Sequence, residues 1–327
     1  MIATAKPSAP GGSPIIQCTT MPAGHIILPN FTTFCLQGFE LRTNPHCNQA
    51  TEDAMASVEV ESGFSPDELR AIPSRQLGLL ASLCYPSCDL PDLRLVIRCL
   101  VSWERKTRGD GTWECSNDDK RLIAGCYRGA TDDWPCRFNE DLMTFKRAQA
   151  QAVAQNKAGD ISDVESYKIL RRTSSGVMLL LDLVEISGHI QLPEPSHTST
   201  KFISLKQSAS DIIVWSQDMA SYNRKQAVGD NHNLVAVLTA RNGFVQIGVD
   251  EARAMLRDAF HAFHAAEEEL LTGTRSVHPE IRRYIQGLRD CIVGHAHWLY
   301  YTNLFFEDGE DAKESGWVRL LPKETKA

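Results

Sequence analysis

The chain has 327 residues, 43% hydrophobic and 23% charged, a balance that suits a globular protein of one large domain or two small ones. Its 34 basic and 41 acidic residues leave a formal net charge of −7, which argues against nucleic acid as a partner, because phosphate backbones are met by basic patches. No apolar run reaches the length of a membrane span, and ten cysteines without zinc spacing read as reduced, mostly buried thiols of a cytoplasmic protein.

Residues 1–24 are rich in Pro, Gly, Ser and Ala and lack the apolar core of a secretory signal, so they read as a disordered tail ahead of one domain over 25–327. Helical periodicity then dominates. Gln76 to Cys84, Leu93 to Trp103 and Phe138 to Gln155 repeat apolar residues at three- and four-residue steps. Asp163 opens a capping pattern before Tyr167 and Leu170. Val177 to Ile186 is apolar on nearly every face, as a central helix must be, although it carries Asp182 and Glu185. Ile212 to Gln226, His232 to Thr239, Gly248 to Leu271 and His278 to Tyr301 complete the series, the third with a stripe of Val249, Ala252, Leu256, Phe260 and Phe263. Alternating strand patterns are nearly absent, so the fold class is all-α. Residues 104–135, rich in Gly and charge, read as a long irregular segment.

Gln217, Ser221 and Lys225 lie four apart within Gln217-Asp218-Met219-Ala220-Ser221-Tyr222-Asn223-Arg224-Lys225-Gln226. Residues at that spacing share one helix face. Oxygen donors on such a stripe can grip a hard cation and leave positions open for phosphate oxygens. Gln217 offers an amide oxygen and Ser221 a hydroxyl, but the Lys225 ammonium has no lone pair while protonated. His261 with His264, and His295 with His297, lack clustered carboxylates or thiolates, and read as surface or partly buried histidines rather than metal ligands.

These segments resemble class I terpene synthases, and fungal sesquiterpene synthases in particular, over about residues 27–322. The resemblance is carried by the Gln217 segment with Gly229-Asp230-x-His232-Asn233-Leu234. It also rests on Leu36-Gln37-Gly38-Phe39-x-x-Arg42-x-Asn44-Pro45-His46, on Gly78 to Pro86 followed by Leu93-Arg94-Leu95, on Ser166-Tyr167-x-x-Leu170-Arg171-Arg172-x-x-Ser175-Gly176, and on Gly316-Trp317-Val318-x-Leu320-Leu321-Pro322. It implies a single helical bundle, monomeric or homodimeric, that ionises farnesyl diphosphate with Mg2+ and cyclises the cation. It implies metal ligation at the positions of Gln217 and Ser221. It implies diphosphate contacts from Arg171 or Arg172, which spacing cannot separate, and from Arg224, with Lys225 able to meet phosphate directly.

A substrate cavity would draw on Trp103, Ser175, Gly176, Trp215 and Trp298, with Tyr300 and Phe305 as further aromatic wall. Ser175-Gly176 is expected at a helix break that aims a carbonyl inward. Three departures weaken the magnesium site or remove it. Family positions for an Asn and a Glu hold Gln217 and Lys225. The stretch Ser102 to Arg108, where the family places an Asp-rich motif, has Glu104 as its one carboxylate. Leu304-Phe305 stands where the family has an Arg-Tyr pair. Asp118-Asp119 and Asp132-Asp133 do not sit where that motif belongs, and 104–135 is either eroded or a mis-joined coding segment. The alternative to an active synthase is an impaired homologue that at most binds an isoprenoid diphosphate.

Overall fold

The computed structural model describes residues 24–324, apart from 35, 37, 61–63, 108–116, 127–129, 195 and 273–277. The tail expected over 1–24 lies, but for Gly24, outside the described residues. In chain order come β1 (His25–Ile27), α1 (Cys47–Val60), α2 (Pro66–Ala71), α3 (Leu77–Cys84), α4 (Leu90–Thr107), α5 (Asn117–Cys126) and α6 (Trp134–Ala158). They are followed by α7 (Val164–Ser174), α8 (Val177–Ser187), α9 (Thr200–Ala227), α10 (Leu234–Asn242), α11 (Val245–Thr272), α12 (Pro279–Tyr301), α13 (Gly309–Ser315) and β2 (Trp317–Arg319). The architecture is the all-α bundle that the periodicity predicts.

Helix α8 sits at the centre because no face of it is polar enough to meet water; Leu179, Leu181 and Leu183 are wholly buried. Its two carboxylates are buried with it and each meets a cation: Glu185 takes two hydrogen bonds from Arg137, at 3.0 and 2.9 Å, and Asp182 pairs with Lys206. Helix α11 shows the opposite design. Its stripe from Val249 to Phe263 is buried and packs on α9, and each large apolar side chain so removed from water stabilises by about 1.5–3 kcal/mol. The segment expected to be irregular contains α5, whose Leu122 and Cys126, four apart, turn one face into the core. Helix α9 begins at Thr200 rather than Ile212, since polar residues interrupt the period over its first turns.

Two glycines position the site. Gly294 lets α12 lie against α3, where a Cβ would stand 2.5 Å from the Leu83 carbonyl oxygen. That approach carries His295 and Trp298 inward. Gly176 joins α7 to α8 with φ +75°, a left-handed conformation that costs any other residue about 1–2 kcal/mol. The strands β1 and β2 pair antiparallel, with Ile26 opposite Val318. The outer edge of β1 is held by Gln246 of α11, whose amide accepts from Ile27 N at 2.9 Å and donates to Ile27 O at 3.1 Å. No helix among the described residues is long and apolar enough to cross a membrane.

Candidate functional site

A cavity of about 380 Å³ opens between α3, α4, α6, α7, α8, α9 and α12. Its apolar wall is built from Leu77, Leu80, Leu100, Phe145, Leu180 and Trp298. A polar wall gathers Gln217 and Lys225 of α9, Arg171 of α7, and Asp230 and His232 from the α9–α10 connection.

The polar wall is built around Asp218, which is fully buried. Its Oδ1 accepts from Arg171 Nε at 2.9 Å, and its Oδ2 accepts from the Tyr167 hydroxyl and from Leu234 N at 3.0 Å. One carboxylate thereby ties α7, α9 and the start of α10. Burial alone would raise the Asp218 pKa, but the Arg171 charge, then Lys225 and the hydrogen bonds, outweigh it and hold the group below the usual carboxylate range. Asn233 completes the joint. It caps α10 through Val235 N at 2.9 Å and donates to the Asp218 carbonyl at 2.7 Å. The Lys225 ammonium donates to the His232 carbonyl at 2.7 Å and pairs with Asp230 at 3.2 Å. The His232 Nε2 lies 3.1 Å from the Ser174 hydroxyl, and burial, with the charges of Arg171 and Lys225, pushes its pKa down to about 4. His295 is 4% exposed, its Nδ1 has no hydrogen-bond partner among the described residues, and burial followed by Arg171 pushes its pKa down to about 3.

Of the residues singled out in the sequence, the structure brings together Gln217, Lys225, Arg171, Trp103, Ser175, Gly176 and Trp298 at this cavity. It separates Arg171 from Arg172, which the spacing could not. Neighbours on a helix point about 100° apart, and Arg172 turns away to Asp211, with Nε–Oδ1 at 2.6 Å. Arg224 likewise turns from Lys225 to the surface, where it donates to Asn303 O at 2.8 Å. Ser221 is buried but does not reach the cavity; its hydroxyl donates to the Asp218 carbonyl and accepts from Asn233. Trp215, about 200° around α9 from Gln217, is 1% exposed and belongs to the core. Tyr300 also lies outside the cavity wall, accepting from Phe31 N at 3.0 Å, as does Phe305, edge-on to Trp298 at 5.7 Å.

The Gly176 carbonyl accepts from Leu180 N at 3.3 Å, so the helix break commits that oxygen to α8. Asp133 pairs with Arg137 and, with Asp132, stands outside the cavity, while the side chains of Asp118 and Asp119 lie outside the described residues. Asp230, His232 and His295 are cavity residues that the sequence did not assign. A separate grouping of Asp89, Asp92 and His189, with His189 Nε2 3.4 Å from Asp92, lies away from this cavity.

The family model described as "Terpene synthase family 2, C-terminal metal binding" matches residues 90–262. Sesquiterpene synthase Agr3 of Cyclocybe aegerita is 32% identical over 346 residues, covering 91% of this chain and 94% of its own length. The chain belongs to the terpene synthase family. Sesquiterpene synthase Agr1 of the same fungus is 29% identical over 91% of this chain and 94% of its own. Alpha-muurolene synthase of Coprinopsis cinerea is 28% identical over 90% of this chain and 77% of its own. Among solved structures, a-eudesmol synthase superposes with a TM-score of 0.70 at 18% identity, over 81% of this chain and 98% of that one. Germacradien-4-ol synthase of Streptomyces citricolor gives 0.64 at 21% identity, over 81% and 97%.

Family membership poses the question of a divalent metal, and the side chains present do not match one. Of the three α9 positions that the sequence resemblance would assign to metal ligands, Gln217 presents an amide, Ser221 is turned into its own helix, and Lys225 presents an ammonium. The carboxylates beside them, Asp218 and Asp230, are each held by a cation. On α4, Glu104 reaches the cavity but is bonded to Arg75, and burial, against the Arg75 charge, raises its pKa. A hard cation binds through several oxygens, carboxylates foremost; this set offers it an amide and no uncommitted carboxylate.

Proposed function

We propose that this terpene synthase family member holds an isoprenoid in the cavity and does not carry out the magnesium-dependent ionisation of farnesyl diphosphate that the sequence resemblance implies. The observation that carries the reading is the Lys225 ammonium, fixed by Asp230 and the His232 carbonyl at the third ligand position of α9. A divalent ion about 4 Å from that ammonium is repelled by roughly 8 kcal/mol at an effective dielectric near 20. The Arg75–Glu104 pair supports the same reading on α4, where the other metal ligands of the family would stand. Losses inside one catalytic unit do not add but abolish its work together.

The apolar wall supports the isoprenoid part of the reading. Its volume falls within the range of small-molecule pockets, and four Leu, one Phe and two Trp side chains are among the residues that line it. Arg171 and Lys225 place two cations at the polar wall, each already opposed by a carboxylate. Incubation of the purified chain with farnesyl diphosphate and Mg2+, followed by gas chromatography of the extract, is expected to yield no hydrocarbon above a heat-treated control. A magnesium-dependent sesquiterpene product would refute the loss of ionisation.

A further inference from the structure

We propose that the headgroup this cavity accepts is uncharged, so that its ligand is a neutral oxygenated isoprenoid such as a prenyl alcohol rather than a prenyl diphosphate. The inference rests on the isoprenoid-binding reading above and names the ligand class of that site.

Charge gives the first argument. Each charged side chain that lines the cavity among the described residues faces an opposite charge: Arg171 meets Asp218 at 2.8 Å, Lys225 meets Asp230 at 3.2 Å, and Glu104 meets Arg75. At the polar wall the formal charges cancel. A diphosphate carries several negative charges and sheds its water on entering, and burying it without net opposing charge is unfavourable. With a donor set that does not suit magnesium, nothing at the wall offsets that cost.

Neutral groups give the second argument. His295 lines the cavity, and among the described residues its buried Nδ1 has no hydrogen-bond partner. The Gln217 amide, half-buried at the same cavity, makes no hydrogen bond among the described residues. A buried polar atom without a partner is unfavourable until a ligand or water supplies one. A hydroxyl both donates and accepts, so it serves either tautomer of the imidazole and either end of the amide. Both cavity histidines stay neutral at physiological pH, since their pKa values are pushed down to about 3 and about 4, and neither lends charge to an anion. The hydrocarbon tail then follows Leu80, Leu100, Phe145, Leu180 and Trp298.

The test uses the full chain and two probes of the same tail, farnesol and farnesyl diphosphate, titrated with Mg2+ and again with a chelator. Trp103 and Trp298 line the cavity, so quenching of tryptophan fluorescence reports occupancy, and calorimetry checks it. Farnesol is expected to bind saturably and at least tenfold tighter than farnesyl diphosphate, with neither affinity changed by the chelator. His295→Phe is expected to weaken farnesol at least fivefold. Asp230→Asn leaves Lys225 uncompensated and is expected to shift the ratio at least fivefold toward farnesyl diphosphate. Farnesyl diphosphate binding tighter than farnesol in the unaltered chain overturns the inference and leaves the isoprenoid-binding reading standing. Failure of both probes to bind overturns the two together.

Discussion

Replacing Asp218 by Asn removes one negative charge from the joint of α7, α9 and α10 while nearly keeping its volume. The carboxylate is fully buried and receives Arg171 Nε at 2.9 Å, Leu234 N at 3.0 Å and the Tyr167 hydroxyl. Taking away one partner of a buried ion pair costs about 3–5 kcal/mol, because the remaining charge is left without a counter-ion. The new amide nitrogen cannot accept from Leu234 N, and an orphaned buried donor costs about 1–3 kcal/mol. The two effects share one site and do not add fully, so the expected loss is about 4 kcal/mol. Against a stability of about 5–15 kcal/mol for a native domain, that leaves the chain marginal.

Urea denaturation followed by circular dichroism at pH 7 measures the loss. Arg172→Met is the control. It breaks the Arg172–Asp211 pair, whose side chains are 25% and 12% exposed, and is expected to cost a smaller amount, about 2 kcal/mol. The pH dependence has a definite sign. The folded-state pKa of Asp218 lies below its unfolded value, so its contribution is complete above about pH 4 and fades as pH falls through the folded value. The gap between the unaltered chain and Asp218→Asn is therefore expected to narrow in acid. A loss below about 1 kcal/mol at pH 7, or one no larger than the Arg172 control, would refute the assignment of Asp218 as the joint.

His232 and His295 are neutral when folded, with pKa values near 4 and 3, and protonate near 6.5 when unfolded, so acidification from pH 6.5 to 4 is expected to destabilise by about 1.4 kcal/mol per pH unit for each. His295→Phe should remove one such contribution from the slope of unfolding free energy against pH, and an unchanged slope would count against a neutral buried imidazole. Gly176→Ala is expected to cost about 1–2 kcal/mol by thermal or urea melting, because φ is +75° and the new Cβ stands 3.3 Å from the Phe145 ring. The pair Gln217→Asn with Lys225→Glu exchanges an ammonium for a carboxylate on the cavity side of α9. Calorimetry is expected to show that Mg2+ tightens farnesyl diphosphate binding by this variant and not by the unaltered chain, and equal behaviour of the two would argue that α9 does not set the metal response.

What was legible in the sequence is what short-range periodicity controls. The Asp163 cap is present, its carboxylate accepting from Glu165 N and Ser166 N, and α8 is the central helix that its uniform apolarity predicts. Helix α1 escaped notice because its buried stripe includes Ala50 and Ala54, small residues that barely raise the apolar signal. The strands β1 and β2, three residues each, are too short for alternation to register. At the site, the stripe of Gln217 and Lys225 toward one cavity followed from helical spacing. The isolation of Ser221 did not, because Asn233, twelve residues away, covers it. Arg171 and Arg172 are adjacent and alike in type; only the positions of Asp218 and Asp211 on another helix decide which faces inward. His295 looked like half of a close pair of histidines, and its separate place in the cavity wall, without His297, depends on the approach of α12 to α3 that Gly294 permits.

The ribbon of β1 and β2 bears on how the protein is made. Residues 25–27 leave the ribosome long before residues 317–319, so β1 must wait while every helix between them is synthesised. Its inner edge is open to mispairing until then, and the Gln246 amide, arriving with α11, can engage the opposite edge first. Zipping of the ribbon is thus a late event, a latch drawn across an assembled bundle. The entropic cost of closing so long a loop rises only with the logarithm of its length.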